Sequence, residues 1–320
     1  MDRPRAVAAL RTEVARFARR HLAGTQRWCV ALSGGADSLA LTAVAADILP
    51  TTALIVDHGL QPDSAAVAET ARAEALRLGC ADAHVLRVDV GTSGGPEAAA
   101  RTARYGALRA AHGGAPVLLG HTLDDQAETV LLGLGRGSGP RSIAGMRVCD
   151  PPWYRPLLGV RRAATAAACT ELGLHPWVDP HNSDPRYTRS RLRTEVLPLL
   201  EDVLAGGVAA ALARTAAALQ DDNDTLDAQA DAALAEVTTG AGLDTARLAE
   251  LPAAIRRRVI RSWLLAGGAR GLTDTQIQRV DALVSAWHGQ GGVAVPSASV
   301  RQRLIAGRRD GLLTLHHEPV

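Results

Sequence analysis

Ser33-Gly34-Gly35-Ala36-Asp37-Ser38 follows the apolar run Trp28-Cys29-Val30-Ala31-Leu32 and precedes a helix-like stretch over 39–47. A strand, a tight Gly-Gly turn and a helix start are the ingredients of a phosphate cradle. The glycines let backbone N–H groups converge on an anion, and the helix N-terminus adds partial positive charge. Ser33 and Ser38 offer hydroxyl donors, and Asp37 is a carboxylate suited to a divalent ion beside phosphates. A loop of the Walker type needs Gly-Lys-Ser/Thr, yet the sequence contains no lysine; its 35 basic residues are all Arg. Without that lysine the loop suits a departing pyrophosphate, with the α-phosphorus open to attack, better than γ-phosphoryl transfer. Standing alone, the same hexapeptide is also an ordinary serine-capped turn.

The first half of the chain alternates strand and helix signals. Short β-like runs at 28–32, 52–56, 84–90 and 116–119 are separated by helical stretches at 64–78 and 97–111, and another follows at 123–134. Such alternation predicts an α/β fold, a doubly wound, mostly parallel sheet whose ligands sit beyond the carboxyl ends of the strands. The polar clusters fall there: Ser33 after the first strand, Asp57-His58-Gly59 after the second, and His121 through Asp125 after the fourth. From about Thr194 the pattern turns to Ala/Leu-rich helices, with a Gly-containing break at 240–243 and short β-like pieces at 293–295 and 312–315. This predicts a catalytic domain over 1–200, a helical linker over 201–242, and a small mixed α+β domain over 243–320. A chain of 320 residues has room for about two domains.

Four further constellations carry chemistry. Glu97, Arg101, Arg104 and Tyr105 share one helix face; this suits an i,i+4 ion pair, and equally a guanidinium grip on phosphate. His121, Asp124, Asp125 and Glu128 gather at a strand end, where acids are favoured by the helix dipole and are also able to hold Mg²⁺ or a cationic substrate. Arg136-Gly137-Ser138-Gly139 reads as a basic loop, and Arg186, Arg189, Arg191 and Arg193 as a basic helix start or an RNA-backbone platform.

Net charge is only +2, but 251–309 holds ten Arg against Asp274 and Asp281. That asymmetry suits a surface facing a polyanion, with RNA foremost, and singles out Arg256, Arg257 and Arg258. Aromatic content of 3% argues against binding dominated by stacked single-stranded bases, and favours shape and phosphate contacts on a folded RNA. Cys29, Cys80, Cys149 and Cys169 show no paired spacing, which argues against a zinc ribbon, an iron–sulfur site or a disulfide scaffold. Charges run through the first 20 residues and no later stretch approaches a membrane span, so a cytoplasmic protein without a membrane partner is expected.

The segment Ser33 to Ser38 resembles the PP-loop of the N-type ATP pyrophosphatases, which split ATP between its α- and β-phosphates. Within that superfamily the later motifs resemble the tRNA(Ile)-lysidine synthetases. The matching stretches are Glu97-x-x-Ala100-Arg101-x-x-Arg104-Tyr105, His121-x-x-Asp124-Asp125-Gln126-x-Glu128-Thr129, the Arg136 loop, Arg155-Pro156-Leu157-Leu158 and the run from Asp179 to Arg193. The chain departs from the family pattern at Gln61, His181 and Ser190. The resemblance implies that ATP adenylates the wobble cytidine of a tRNA(Ile) with a CAU anticodon, after which L-lysine displaces AMP. It implies that Ser33, Gly34, Gly35, Ala36 and Ser38 hold phosphates, with Asp57, His58, Arg101, His121 and Arg136 also toward the nucleotide. Asp37, Arg104, Asp124, Asp125 and Glu128 are the expected catalytic residues, Asp37 and Asp125 the expected Mg²⁺ ligands, and Arg189, Arg191, Arg193 and Arg256 to Arg258 the expected RNA contacts. A homodimer is compatible with this reading. Open alternatives are a tRNA thiolase, a small-molecule amidating enzyme, and a non-catalytic RNA-binding module.

Overall fold

A computed structural model describes residues 5–59, 63–91, 95–137, 139–178, 184–299 and 301–319. Gln61, Ser138, Asp179, His181 and Asn182 lie outside the described residues. The chain divides into two compact units: Met1–Leu132 with Gly145–Thr215, and Gly133–Ala144 with Ala216–Val320.

The first unit opens with α1 (Arg5–His21), whose Leu10, Val14 and Phe17 line up on one face and are buried. Then come β1 (Trp28–Ala31), α2 (Ala36–Ala46), β2 (Thr51–Asp57), α3 (Ser64–Arg77), β3 (Asp82–Arg87), α4 (Pro96–Ala111) and β4 (Val117–Leu119). Next are α5 (Leu123–Arg136), whose last turn together with the short α6 (Pro140–Ile143) belongs to the second unit, then the hairpin β5 (Cys149–Asp150) and β6 (Trp153–Tyr154), and α7 (Arg162–Glu171). The sheet order is β3-β2-β1-β4-β6-β5, parallel except that β5 runs against β6. The expected doubly wound, mostly parallel sheet is therefore the fold of this unit. The strand expected at 84–90 begins two residues earlier and ends at Arg87.

Alternate residues of β1 point to opposite faces, as a pleated strand requires. Trp28 and Val30 enter one core with Leu10, Val14, Leu41 and Val44, while Cys29 joins Leu54, Leu108 and Trp153 on the other side. Helix α2 is buried nearly all round, through Leu39, Ala40, Leu41, Val44 and Ala45. Each large apolar side chain so buried contributes about 1.5–3 kcal/mol, so the helix that follows the glycine loop is anchored in a dry core. Helices α1 and α7 lie outside the helical stretches expected from the sequence.

After α8 (Thr188–Arg191), a π-helical turn (Leu192–Val196) and α9 (Leu197–Val203), the long helix α10 (Val208–Val237) leads into the second unit. There β7 (Thr238–Thr239), β8 (Gly242–Asp244), α11 (Thr245–Glu250), α12 (Ala253–Ala266), α13 (Asp274–Ser285), β9 (Val293–Val295), β10 (Gln302–Arg309) and β11 (Leu312–Pro319) follow. The strands form an antiparallel sheet, β7-β8-β11-β10-β9, over a core that includes Leu243, Leu248, Ile260, Leu264, Val280 and Leu313. Asp244 caps α11 by accepting from the Ala246 and Arg247 amides, and Thr273 with Gln276 forms a capping box on α13. Asp310 (φ 49°) and Gly311 (φ 77°) turn β10 into β11, a two-residue hairpin that needs positive φ at both positions. Among the described residues no single helix is long and apolar enough to cross a membrane.

Candidate nucleotide site

In the first sheet β2 and β3 lie on one side of β1, and β4 and β6 on the other. The direction of winding thus reverses between β1 and β4, the place where doubly wound sheets bind ligands. A cavity of about 640 Å³ opens there, beyond the carboxyl ends of the strands.

The glycine loop forms one wall. Gly34 takes a left-handed φ of 82°, which lets the chain turn sharply before α2. Ser38, at the start of that helix, is 6% exposed; its hydroxyl donates to the Gly35 carbonyl at 2.9 Å and accepts from the Ser33 amide at 3.2 Å. The two serine hydroxyls lie 3.1 Å apart. Gly120, leaving β4, comes so close to α2 that a Cβ there would sit 3.1 Å from backbone atoms of Asp37 and Ser38. The loop is braced from behind as well, by the Trp177 amide on the Gly34 carbonyl at 3.0 Å.

Asp57, His58, Arg104, Tyr105 and His121 line the same cavity. Asp57 Oδ1 accepts from the Gly59 amide at 3.0 Å. The Arg101 and Arg104 guanidinium carbons lie 4.8 and 5.5 Å from the Tyr105 ring centroid, in cation–π range. Arg101 itself is exposed and, like Gly34, is not part of the cavity wall. His58 Nδ1, Tyr105 Oη and His121 Nδ1 are buried without a hydrogen-bond partner. A buried polar group left unpaired costs about 1–3 kcal/mol, so three of them in one cavity mark a place built for a polar ligand. Burial pushes the His121 imidazole down to about 3, with Asp125 opposing and Arg155, Arg104 and Arg101 adding to the fall. Burial and then Arg104 likewise lower His58. Both rings are therefore neutral at neutral pH.

The acids are arranged differently from the expectation. Asp125 Oδ2 accepts from the Thr122 amide and hydroxyl, both at 2.7 Å, and Oδ1 accepts from Arg162 Nη2 at 2.6 Å. Burial favours the protonated Asp125, but Arg162 and the Thr122 bonds outweigh it and hold the carboxyl below its ordinary value. Asp124 Oδ2 accepts from the Arg162 amide at 2.8 Å, and its Oδ1 lies 3.1 Å from Arg161. Glu128 is fully buried between Arg162 (3.2 Å) and Arg193 (3.0 Å). Asp37 accepts from the Thr165 hydroxyl through one oxygen, and the other lies 3.5 Å from Arg162 Nε. Burial raises the Asp37 carboxyl; the Thr165 bond works against this, Asp125 with it, and Arg162 against it. Gln126 is structural, holding the Met146 amide (2.7 Å) and carbonyl (3.0 Å).

Among the described residues no group of three or more His, Cys, Asp or Glu side chains is placed to hold a metal ion. Mg²⁺ at a nucleotide site takes only one or two carboxylates, the rest of its shell being phosphate and water. Asp37, beside the loop with one oxygen held only by a long 3.5 Å contact to Arg162, fits that part. Asp125, with both oxygens occupied by protein donors, does not. Arg193, expected on an RNA platform, is turned into the cavity by the buried charge of Glu128, and Arg191 is paired with Glu195 at 2.9 Å. Arg189 lies in α8; burial, with the charges of Arg101 and Arg189 adding to it, lowers the Arg104 guanidinium from its ordinary value.

In the second unit Arg256 is buried against Asp281 at 2.6 Å and the Leu251 carbonyl at 3.0 Å. Arg258 bonds Asp227 at 2.6 Å and Asn223 at 2.8 Å. Both are spent within their unit, which differs from the expected RNA role. Arg257, 3.2 Å from Asp281, keeps a side chain 45% exposed. Arg136, the last residue of α5, also falls in this unit.

Arg162 and Thr165, on the first turn of α7, were missed by the sequence reading. The available signal was charge: a basic pair, Arg161-Arg162, closely follows Arg155-Pro156-Leu157-Leu158, while the acids at 124–128 had no local partner.

A lysine-free glycine loop at the reversal of a parallel sheet, facing a cavity lined by arginine, defines a PP-loop enzyme that uses ATP. Residues 8–200 match the PP-loop domain family and residues 243–313 the TilS substrate binding domain. A tRNA(Ile)-lysidine synthase of Mycolicibacterium paratuberculosis is 69% identical over 320 residues, spanning 100% of both chains. That of Mycobacterium tuberculosis is 68% identical over 324 residues, again 100% of both, and that of Rhodococcus opacus 63% identical over 287 residues, 89% of this chain and 88% of the relative. The chain belongs to the tRNA(Ile)-lysidine synthase family, ligase-type enzymes of tRNA modification. A U34-tRNA thiolase from Methanococcus maripaludis shares the fold, with a TM-score of 0.55 at 16% identity over 68% of this chain and 80% of the thiolase.

Proposed function

We propose that this enzyme ligates L-lysine to C2 of the wobble cytidine in the CAU anticodon of tRNA(Ile), through an adenylated cytidine. The observation that carries the reading is the sharing of one cavity by the glycine loop, Arg104 and Asp125. Ser33, Gly34, Gly35, Ala36 and Ser38 grip the β- and γ-phosphates with backbone N–H groups and the α2 dipole. Cytosine O2 attacks the α-phosphorus and pyrophosphate departs. The oxygen, a hopeless leaving group as a carbonyl, is now a phosphate ester. The lysine ε-amine then adds to C2, loses a proton, and AMP carries O2 away.

Arg104, with Arg101 beside it, offsets charge on the adenylate. Asp57, His58 and His121 face the nucleoside, the neutral imidazoles serving as hydrogen-bond partners. Asp37 is the residue suited to Mg²⁺, whose chemistry would be to neutralise phosphate charge. Of the acids at 124–128, Asp125 lines the cavity and meets the lysine ammonium, accepting its proton, while Asp124 and Glu128 hold Arg162 in place. Arg257, Arg189, Arg191 and Arg136 are assigned to tRNA phosphate. Residues 1–200 carry out catalysis, 201–242 form a linker and 243–320 dock the tRNA, in a cytoplasmic enzyme able to form a homodimer.

The test is incorporation of labelled lysine into a transcribed tRNA(Ile) bearing CAU, with and without ATP. AMP and pyrophosphate are expected in step with lysine uptake. ADP among the products, or uptake without ATP, overturns the reading.

A further inference from the structure

Arg162 answers to four carboxylates. Its guanidinium meets Asp125 at 2.6 Å, Glu128 at 3.2 Å and Asp37 at 3.5 Å, and its own amide meets Asp124 at 2.8 Å. The side chain is 24% exposed and lines the cavity, as does Asp37. Two of its partners differ in kind. Glu128 has Arg193 as a second cation, so it does not depend on Arg162 alone. Among the described residues Asp37 has no other guanidinium partner: its remaining side-chain bond comes from the Thr165 hydroxyl, on the same turn of α7. The oxygen that faces Arg162 is the one a divalent ion would take.

We propose that Arg162 is a positioning residue that acts as an internal counter-cation to Asp37, keeping a divalent ion off this carboxylate until nucleotide phosphate supplies the competing ligands. The proposal rests on the reading of Asp37 as the metal-facing residue. A guanidinium is always charged and fork-shaped, so it bridges Asp37 and Asp125 without a proton equilibrium. One carboxylate already paired with it is a poor site for Mg²⁺, which gives up water reluctantly. Phosphate oxygens change the balance twice over, by adding ligands for the metal and by offering the guanidinium a new partner.

The test is Mn²⁺ titration of the full chain, free ion followed by electron paramagnetic resonance, without nucleotide and with a non-hydrolysable α,β-methylene ATP. Wild type is expected to bind Mn²⁺ weakly alone and tightly with the analogue. Arg162→Gln is expected to bind nucleotide-free Mn²⁺ roughly tenfold or more tightly, the scale of one removed charge acting on a divalent ion a few ångströms away in a part-solvated site. Arg162→Lys keeps the charge and is expected to stay near wild type. Adding Asp37→Asn to Arg162→Gln is expected to erase the gain. Should Arg162→Gln unfold because Glu128 loses a partner, the double variant Glu128→Gln/Arg162→Gln removes that buried charge and is expected to show the same gain. Folded variants whose nucleotide-free affinity equals wild type overturn the proposal, as does a gain that survives Asp37→Asn. A loss of analogue binding with no change in the absence of nucleotide would also overturn it, making Arg162 a phosphate contact. Lysine incorporation by wild type is a separate measurement, so failure here leaves the functional reading standing, and failure there does not explain the Mn²⁺ result.

Discussion

Asp37 is where geometry and chemistry constrain each other most. It starts a helix locked into the core, one oxygen held by Thr165 and the other 3.5 Å from Arg162, which lines the same cavity. Asp37→Asn keeps the shape and removes the charge, so ATP–pyrophosphate exchange in the presence of tRNA is expected to fall about 10²–10³-fold, the scale of removing one preorganised electrostatic partner of a transition state. An unaltered exchange rate would remove Asp37 from the chemistry. His121 gives a prediction of a different kind. Its folded value is about 3 against 6.5 for an unperturbed ring. Between those values the unfolded chain binds a proton that the folded chain refuses, so stability is full above about 6.5 and declines as pH falls toward 3, by up to about 1.4 kcal/mol per pH unit. Thermal melts of His121→Asn and wild type across that window are expected to diverge, with wild type losing more on acidification; parallel curves would mean that the ring titrates normally.

At the scale of elements, the strand ends decide the site. The runs at 28–32 and 116–119 were readable because continuous apolar residues between glycines have few other fates in an α/β chain. What faces them across the cavity was less readable. Helix α7 has a composition rich in Ala and Thr and a weak apolar stripe, and its role comes from Arg162 and Thr165 reaching residues 34 to 128 positions away. Contacts of that separation leave no local signature. The same holds for Arg193, whose neighbours in sequence are basic while its partner, Glu128, is a buried acid on another helix. Gly120 tests the packing of these elements. Its hypothetical Cβ meets backbone, which cannot swing aside as a side chain can. Gly120→Ala is expected to cost about 1–3 kcal/mol in urea unfolding and to weaken ATP binding by displacing the start of α2. A variant that binds ATP normally would show that β4 and α2 separate freely.

At the scale of the whole molecule, the surplus of arginine in 251–309 was legible as charge but not as surface. Arg256 and Arg258 are consumed by Asp281 and Asp227, because a small unit with few aromatic residues closes part of its interior with ion pairs. Replacing the three consecutive arginines together therefore mixes two effects that single variants separate. Arg256→Ala leaves Asp281 buried (3% exposed) with, among the described residues, only the Arg257 guanidinium to meet it, and is expected to destabilise the second unit by about 3–5 kcal/mol, read from chemical unfolding. Arg257→Ala removes an exposed cation, is expected to leave stability within about 0.5 kcal/mol, and should reduce the slope of log affinity for tRNA against log salt by about 1. Equal salt slopes for Arg257→Ala and wild type would move the RNA contact elsewhere on this unit, whereas a large loss of stability in that variant would mean that Asp281 needs both of its guanidinium partners.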